Sequence, residues 1–75
     1  MASNNPETSE ERFKRLATKR TNEILKRLDT LGNCANRQVY NYTQKEVDKI
    51  FKAIENKIKE VRARFHFPGR ENFKL

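Results

Sequence analysis

The sequence predicts an all-α protein: an antiparallel two-helix hairpin, with helices at about 9–31 and 43–65, that dimerises into a four-helix bundle. Three observations favour this fold. Two Thr-x-x-Glu patterns are typical of helix starts. Each is followed by apolar residues at alternating spacings of four and three, which fall on one helix face. An Asn-rich stretch between them is typical of a connection.

The first helix is predicted to begin after Thr8. Thr8 and Glu11 fit a capping box, in which each side chain takes the other's free backbone N–H. Gly32 follows the last periodic residue, where a left-handed glycine commonly ends a helix. The apolar face consists of Ala17, Thr21, Ile24, Leu28 and Leu31.

Residues 32–42 form the predicted connection, with Gly32 and three asparagines that favour turns. Val39, Tyr40 and Tyr42 make it too apolar for a fully solvated loop, so at least one should fold back on the helices. Asn and Arg side chains can read base edges, and Tyr can stack on unpaired bases. We therefore predict a loop interaction site; the alternative is turn chemistry that only closes the hairpin. Its residues are Asn36, Arg37 and Tyr40.

The second helix has the clearest start signal. Thr43 and Glu46 fit a second capping box, and Tyr42 and Val47 are placed to form a hydrophobic staple. Acid-first pairs four residues apart should add a little stability. The apolar stripe is Val47, Phe51, Ile54, Ile58, Val61 and Phe65, widened by Ile50, and the pairs are Asp48–Lys52, Glu55–Lys59 and Glu60–Arg64.

The two ends of the chain are predicted to lie outside the hairpin domain, residues 9–65. Residues 1–8 are polar and read as a disordered lead-in. Pro68-Gly69 stops any helix, so residues 66–75 form a partly disordered tail. Phe67, Phe73 and Leu75 give that tail some capacity to dock.

The small size of the chain favours self-association. It has 75 residues, of which 35% are hydrophobic, and Cys34 is its single cysteine, so no intrachain disulfide can compensate for a small core. A dimer is the favoured remedy; a monomer with the loop and tail as a third layer, or a partner protein, is the alternative. The predicted oligomer interface is Val47, Phe51, Ile54, Ile58, Val61, Ile24 and Leu28.

The sequence contains few residues that could support catalysis. His66 has no orienting partner nearby in sequence, and Cys34 lacks the clustered cations or helix N-terminus that lower a thiol pKa. One thiol and one imidazole do not supply the four ligands of a zinc site, and no Gly-rich phosphate loop is present. We predict no enzymatic activity, no catalytic or metal-binding residue, no cofactor and no small-molecule substrate.

The formal net charge of +7 is the strongest functional signal. Each predicted helix carries seven basic and four acidic residues, and four of the bases of each helix lie on the face opposite its apolar stripe. Such ridges can follow phosphates or an acidic protein surface; the alternative is a plain solvated face. The predicted nucleic-acid-binding residues are Lys45, Lys49, Lys52, Lys59, Arg12, Arg15, Lys19 and Lys26.

A cytoplasmic protein is expected. A lone thiol suits a reducing compartment. The start of the chain has neither the basic nor the apolar region of a signal peptide. No run of about 18 apolar residues exists to span a membrane, and the basic faces lack the large apolar residues that membrane insertion needs.

One pattern resembles a known group of sequences. It combines Leu31-Gly32-Asn33-Cys34-x-Asn36 and Tyr40-x-Tyr42-Thr43 with flanking segments of both helices. Those segments are Arg12-Phe13, Leu16-Ala17, Arg20-Thr21-Asn22, Val47-x-Lys49-Ile50-Phe51-x-x-Ile54-Glu55 and Arg64-Phe65. The pattern, which covers residues 12–65, resembles a family of short hypothetical proteins of bacterial, often Firmicute, genomes and their mobile elements. The resemblance implies a bacterial cytoplasmic setting and an accessory role, and it carries no activity or functional residue.

The sequence is compatible with two functions. The first is a small basic helical accessory or regulatory protein of a bacterial mobile element that binds nucleic acid without catalysis. The alternative is a protein–protein interaction module, an adaptor or inhibitor that docks on a host or phage protein through its loop and apolar face.

Overall fold

A computed structural model describes residues 5–67 of the chain. Within this range it contains two α-helices and a short 3₁₀ helix, and no strand: α1 is Ser9–Gly32, the 3₁₀ helix is Asn33–Ala35, and α2 is Gln44–Arg62. The all-α prediction is confirmed for these residues. The chain divides into two units, residues 1–40 and 41–75. The antiparallel packing of the two helices and their dimerisation stay predictions.

The start of α1 has the predicted capping box. The Thr8 hydroxyl accepts a hydrogen bond from the Glu11 backbone N–H at 3.1 Å, and the Glu11 carboxylate accepts one from the Thr8 N–H at 2.9 Å. Two backbone donors that the first turn leaves without helical partners are thereby satisfied. The hydrogen bonds from Thr8 also lower the pKa of Glu11. Sequence alone was sufficient to place this boundary.

The end of α1 differs from the prediction. Gly32 is not a left-handed residue: its φ of −59° and ψ of −25° are helical, and it belongs to the helix. Asn33, with φ −65° and ψ −20°, continues the right-handed path, and its N–H bonds to the Leu31 and Thr30 carbonyls. The last turn therefore tightens into the 3₁₀ helix, which satisfies the terminal carbonyls without a left-handed glycine.

The start of α2 repeats the arrangement at the start of α1. The Thr43 hydroxyl accepts from the Glu46 N–H at 3.1 Å, and Glu46 accepts from the Thr43 N–H at 2.8 Å. Tyr42 and Val47, the predicted staple, are both half-buried, whereas Thr43 to Glu46 between them are exposed. The capping box defines where the helix begins, and the contact between Tyr42 and Val47 stays a prediction.

The helix α2 ends earlier than the predicted residue 65. The last helical residue is Arg62. Two turn-type hydrogen bonds follow, from the Arg64 N–H to the Val61 carbonyl at 3.0 Å and from the Phe65 N–H to the Arg62 carbonyl at 3.1 Å. These span three residues each, so the end of the helix is wound more tightly than an α-helix. Phe65 follows the apolar spacing but lies just beyond the helix.

The described part of the chain contains no buried residue. The most protected positions on α1 are Leu16, Ala17, Leu28 and Leu31, and those on α2 are Val47 and Ile54, all of them half-buried. Ile24 on α1 and Ile58 on α2 are 61% and 53% exposed. Each helix thus presents a largely uncovered apolar face.

Some predictions lie outside the described residues. Residues 1–4 of the predicted lead-in and residues 68–75 of the predicted tail belong to this group, and with them Phe73 and Leu75. Phe67, the last described residue, is exposed.

Candidate nucleic-acid interface

Four lysines form a line along one face of α2, called the α2 lysine ridge: Lys45, Lys49, Lys52 and Lys59. All four lie inside the helix and are exposed. At about 3.6 residues per turn they fall within an arc of about 80° and cover about 21 Å of helix axis. The apolar stripe of α2 lies on the opposite side. The ridge can therefore meet a ligand while the stripe packs against protein.

The acid-first pairs predicted along α2 are not formed, and this prediction was wrong. Glu60 accepts a hydrogen bond from Lys57 at 3.2 Å, and Asp48 accepts one from the Gln44 side chain at 2.9 Å. Across residues 5–67, no carboxylate lies within 4.0 Å of a ridge ammonium. Exposed pairs of long side chains gain little free energy, so favourable spacing alone does not form them. The ridge keeps its four positive charges unneutralised.

The predicted basic residues of α1 form a second line, the α1 basic ridge: Arg12, Arg15, Lys19 and Lys26, all exposed. Glu7, which precedes the cap of the helix, contacts the first two. The Arg15 Nε and Nη2 atoms each donate to a Glu7 carboxylate oxygen at 2.9 Å, and the Arg12 Nε lies 3.8 Å from the same group. This forked geometry is the one that guanidinium groups also use to bind phosphate.

The contact with Glu7 changes the ionisation of both partners. The hydrogen bond from Arg15 lowers the pKa of Glu7, and Glu7 raises the pKa of Arg15. Since the pKa of Glu7 is lowered, its carboxylate stays charged at neutral and mildly acidic pH. The contact is lost only as the pH falls through that lowered pKa. The two ridges therefore differ: the chain's own carboxylate occupies part of the α1 basic ridge.

Replacing Glu7 with Gln should strengthen binding of a polyanion. The change frees the Arg15 fork for phosphate, and we expect an increase in affinity of about two- to five-fold at low salt, the size typical of one exposed ion pair. The measurement is fluorescence anisotropy of a labelled oligonucleotide. Glu10→Gln is the matched control, because it removes the same charge from an exposed residue of the first turn. Equal effects of the two changes would show that net charge alone is responsible.

The connection between the helices is organised by Asn36. Its backbone carbonyl accepts hydrogen bonds from the Val39 and Tyr40 N–H groups at 3.1 and 2.9 Å, and its side-chain oxygen accepts one from the Gln38 N–H at 3.0 Å. Asn36 thus has a turn-forming role. Arg37 is exposed, and Tyr40 is 50% exposed. Of Val39, Tyr40 and Tyr42, the apolar residues of the connection, only Tyr42 is half-buried.

Other reactive side chains are not clustered. Cys34 lies in the 3₁₀ helix and is exposed, and His66 is exposed beyond the end of α2. Among the residues that the structure describes, no three His, Cys, Asp or Glu side chains are grouped so that they could hold a metal ion. Neither α1 nor α2 has the length and hydropathy of a membrane-spanning helix.

Each unit thus carries its own candidate surface: the α2 lysine ridge, exposed and without a carboxylate partner among the described residues, and the α1 basic ridge, in which Arg12 and Arg15 lie against Glu7. The resemblance to short mobile-element proteins stays a prediction. Comparison of the chain with protein-family models, with curated proteins and with solved structures finds no match.

Proposed function

We propose that this chain is a small, non-enzymatic, basic helical protein that binds nucleic acid through the α2 lysine ridge, with support from the α1 basic ridge. The observation that carries the proposal is the lack of any carboxylate partner, among the described residues, for four lysines on one helix face. The four ammonium groups are therefore free to meet an external anion, and their alignment within an arc of about 80° lets one linear polyanion reach all of them. A phosphate backbone offers a line of anions at comparable spacing.

Binding of this kind is electrostatic and independent of sequence. Each lysine that meets a phosphate releases a condensed counterion, so the logarithm of the affinity falls with the logarithm of salt concentration by about 0.9 per contact on duplex DNA and about 0.7 on a single strand. Four contacts give a slope of about −3.6 on duplex, which corresponds to a loss of roughly 100-fold between 50 and 200 mM salt.

The test is a salt titration of the purified chain with fluorescein-labelled duplex and single-stranded oligonucleotides, read by anisotropy. We expect binding at low salt to both, with slopes near these values. Absence of binding to either form at low salt would overturn the proposal.

We also propose that the chain folds as a hairpin that dimerises into a four-helix bundle, with the alternatives of a three-layer monomer or a partner protein left to experiment. The support is the apolar surface that each helix leaves uncovered: Ile24, Leu25, Phe51 and Ile58 are each between 47% and 61% exposed. Full burial of one such side chain contributes about 1.5–3 kcal/mol. Helices of this length gain most of their stability from packing of this kind.

The cellular location and biological role are inferred from the resemblance to short bacterial proteins and from the single thiol, Cys34, and not from the basic ridges. We propose a cytoplasmic accessory or regulatory role in a bacterial mobile element. An acidic protein surface is the other polyanion that the ridges could bind.

The second candidate function is a protein–protein interaction module, an adaptor or inhibitor of a host or phage protein. The observation in its favour is the uncovered apolar surface in the connection, where Val39 is 66% and Tyr40 50% exposed. This function predicts no binding in the salt titration, so the same experiment separates the two candidates.

A further inference from the structure

The exposed apolar stripe of α2 is suited to packing against another helix. The charged residues beside the stripe indicate which helix this is and how it is oriented. The inner stripe residues, Phe51, Ile54, Ile58 and Val61, alternate at three and four positions within the helix. Phe51 and Ile58 are about half exposed. This spacing is that of a coiled-coil seam, in which a second helix covers the stripe and side chains beside the seam decide the orientation of that helix.

One flank of the stripe changes sign along its length. Asp48 stands at its start, Glu55 in the middle and Arg62 at its end, each seven residues apart and each exposed. One carboxylate oxygen of Asp48 accepts from Gln44. In the part of the chain that the structure describes, neither Glu55 nor Arg62 has an ion pair. The acidic start and the basic end are therefore available to a neighbouring helix.

We propose that the stripe is covered by α2 of a second copy of this chain, lying antiparallel, with the two-fold axis at the level of Asn56. In this register Phe51 packs against the partner's Val61, and Ile54 packs against the partner's Ile58, so all four inner stripe residues find apolar neighbours. Asp48 then lies beside the partner's Arg62, and by symmetry Arg62 lies beside the partner's Asp48.

The charges favour the antiparallel pair over the parallel one. In a parallel pair, Asp48 and Arg62 lie at opposite ends and do not meet, while Lys57 lies beside the partner's Arg62, a like-charge contact made twice. The antiparallel pair brings two opposite-charge contacts and opposes the two helix dipoles. Two like-charge contacts lie near the axis, Glu55 against the partner's Glu55 on this flank and Lys57 against the partner's Lys57 on the other flank, but the parallel pair has like-charge contacts without the two attractive ones.

This arrangement rests on the proposed dimer and is independent of nucleic-acid binding. The α2 lysine ridge lies on the side of the helix away from the seam, so both copies keep their ridges exposed. The α2 lysine ridges of the two copies would then lie on opposite sides of the helix pair.

The test uses two variants with complementary charges, Asp48→Arg and Arg62→Asp. Alone, each variant places like charges at both contacts of its own dimer, and we expect the dimer dissociation constant to rise about tenfold. Mixed in equal amounts, the two variants regain an opposite-charge pair at both contacts, and the mixture should form heterodimers as stable as the wild-type dimer. Sedimentation equilibrium measures all three samples.

Circular dichroism is the control for loss of helix within each chain, because both changes place a charge that interacts unfavourably with the helix dipole. Mixing the variants can restore only the contacts between chains. A wild-type dimer whose variants show no preference for mixing would overturn the antiparallel register and leave the dimer and the nucleic-acid proposal standing. A wild-type chain that stays monomeric would overturn the register and the proposed dimer together, whatever the salt titration shows.

A second measurement does not depend on the charge variants. In a Cys34→Ser background, Glu55→Cys should form a disulfide-linked dimer on mild oxidation, because the two copies of residue 55 meet at the axis. Asn56→Cys, on the outward face, should not. Equal crosslinking of the two would count against the proposed axis.

Discussion

Replacing Ile58 with Asp is expected to abolish self-association and to reduce helix content at all concentrations. Ile58 lies at the centre of the α2 stripe and is 53% exposed in the single chain. In the proposed bundle it is covered by a neighbouring helix, where an unpaired carboxylate costs several kcal/mol. We expect the dimer dissociation constant to rise by at least about 100-fold, which corresponds to about 2.8 kcal/mol. Sedimentation velocity and circular dichroism over a dilution series measure both effects.

Asn56→Asp is the matched control for this experiment. It introduces a carboxylate two positions away, on the face opposite the stripe, and should assemble as the wild type does. If Ile58→Asp and Asn56→Asp sediment alike, the stripe is not an assembly surface. If folding and association are coupled, the wild type loses helix content on dilution, whereas the helix content of Ile58→Asp does not change with concentration.

Replacing the whole α2 lysine ridge with Gln is expected to remove most of the affinity for nucleic acid. The change lowers the formal net charge from +7 by four and deletes the aligned cations without touching the apolar stripe. The salt slope on duplex DNA should fall by about 3.6, at about 0.9 per lost contact. Anisotropy titrations at several salt concentrations give both the affinity and the slope. The four changes are made at Lys45, Lys49, Lys52 and Lys59.

A control with the same charge decides whether position or total charge matters. It replaces four bases that belong to neither ridge, and it should keep most of the slope because the aligned lysines remain. If both quadruple variants lose affinity equally, the chain binds polyanions through net charge alone, and the ridge has no special role. The control residues are Lys14, Arg20, Arg27 and Lys57.

The helices were predictable because their starts depend on local chemistry. A Thr followed three positions later by Glu satisfies two backbone donors within one turn, and both capping boxes form as expected. The ends of the helices were less predictable. Gly32 permits a left-handed conformation without requiring one, and the chain continues into a 3₁₀ turn through Asn33. Phe65 keeps the apolar spacing, but spacing reports which face a residue would occupy and not where the backbone hydrogen bonds change.

The candidate site was predictable in part. The spacing of the α2 lysines places them on one face of any helix that forms there. Their lack of carboxylate partners could not be predicted, since spacing rules indicate which pairs can meet and not which gain free energy by meeting. The contact between Glu7 and Arg15 was missed because the two residues are eight apart, outside the three- and four-residue rule, and Glu7 was assigned to a disordered lead-in. An acidic residue directly before a capping box that precedes two arginines is the signal that could have indicated it.

We infer that α2 uses one face for assembly and the opposite face for a polyanion. Sedimentation velocity of the purified chain at low salt, alone and with a labelled 20-base-pair duplex, tests both parts on one sample. We expect the protein alone to sediment as a dimer. With the duplex, we expect a faster-sedimenting complex of dimer and duplex that dissociates at higher salt. A monomer that leaves the sedimentation of the duplex unchanged would contradict this inference.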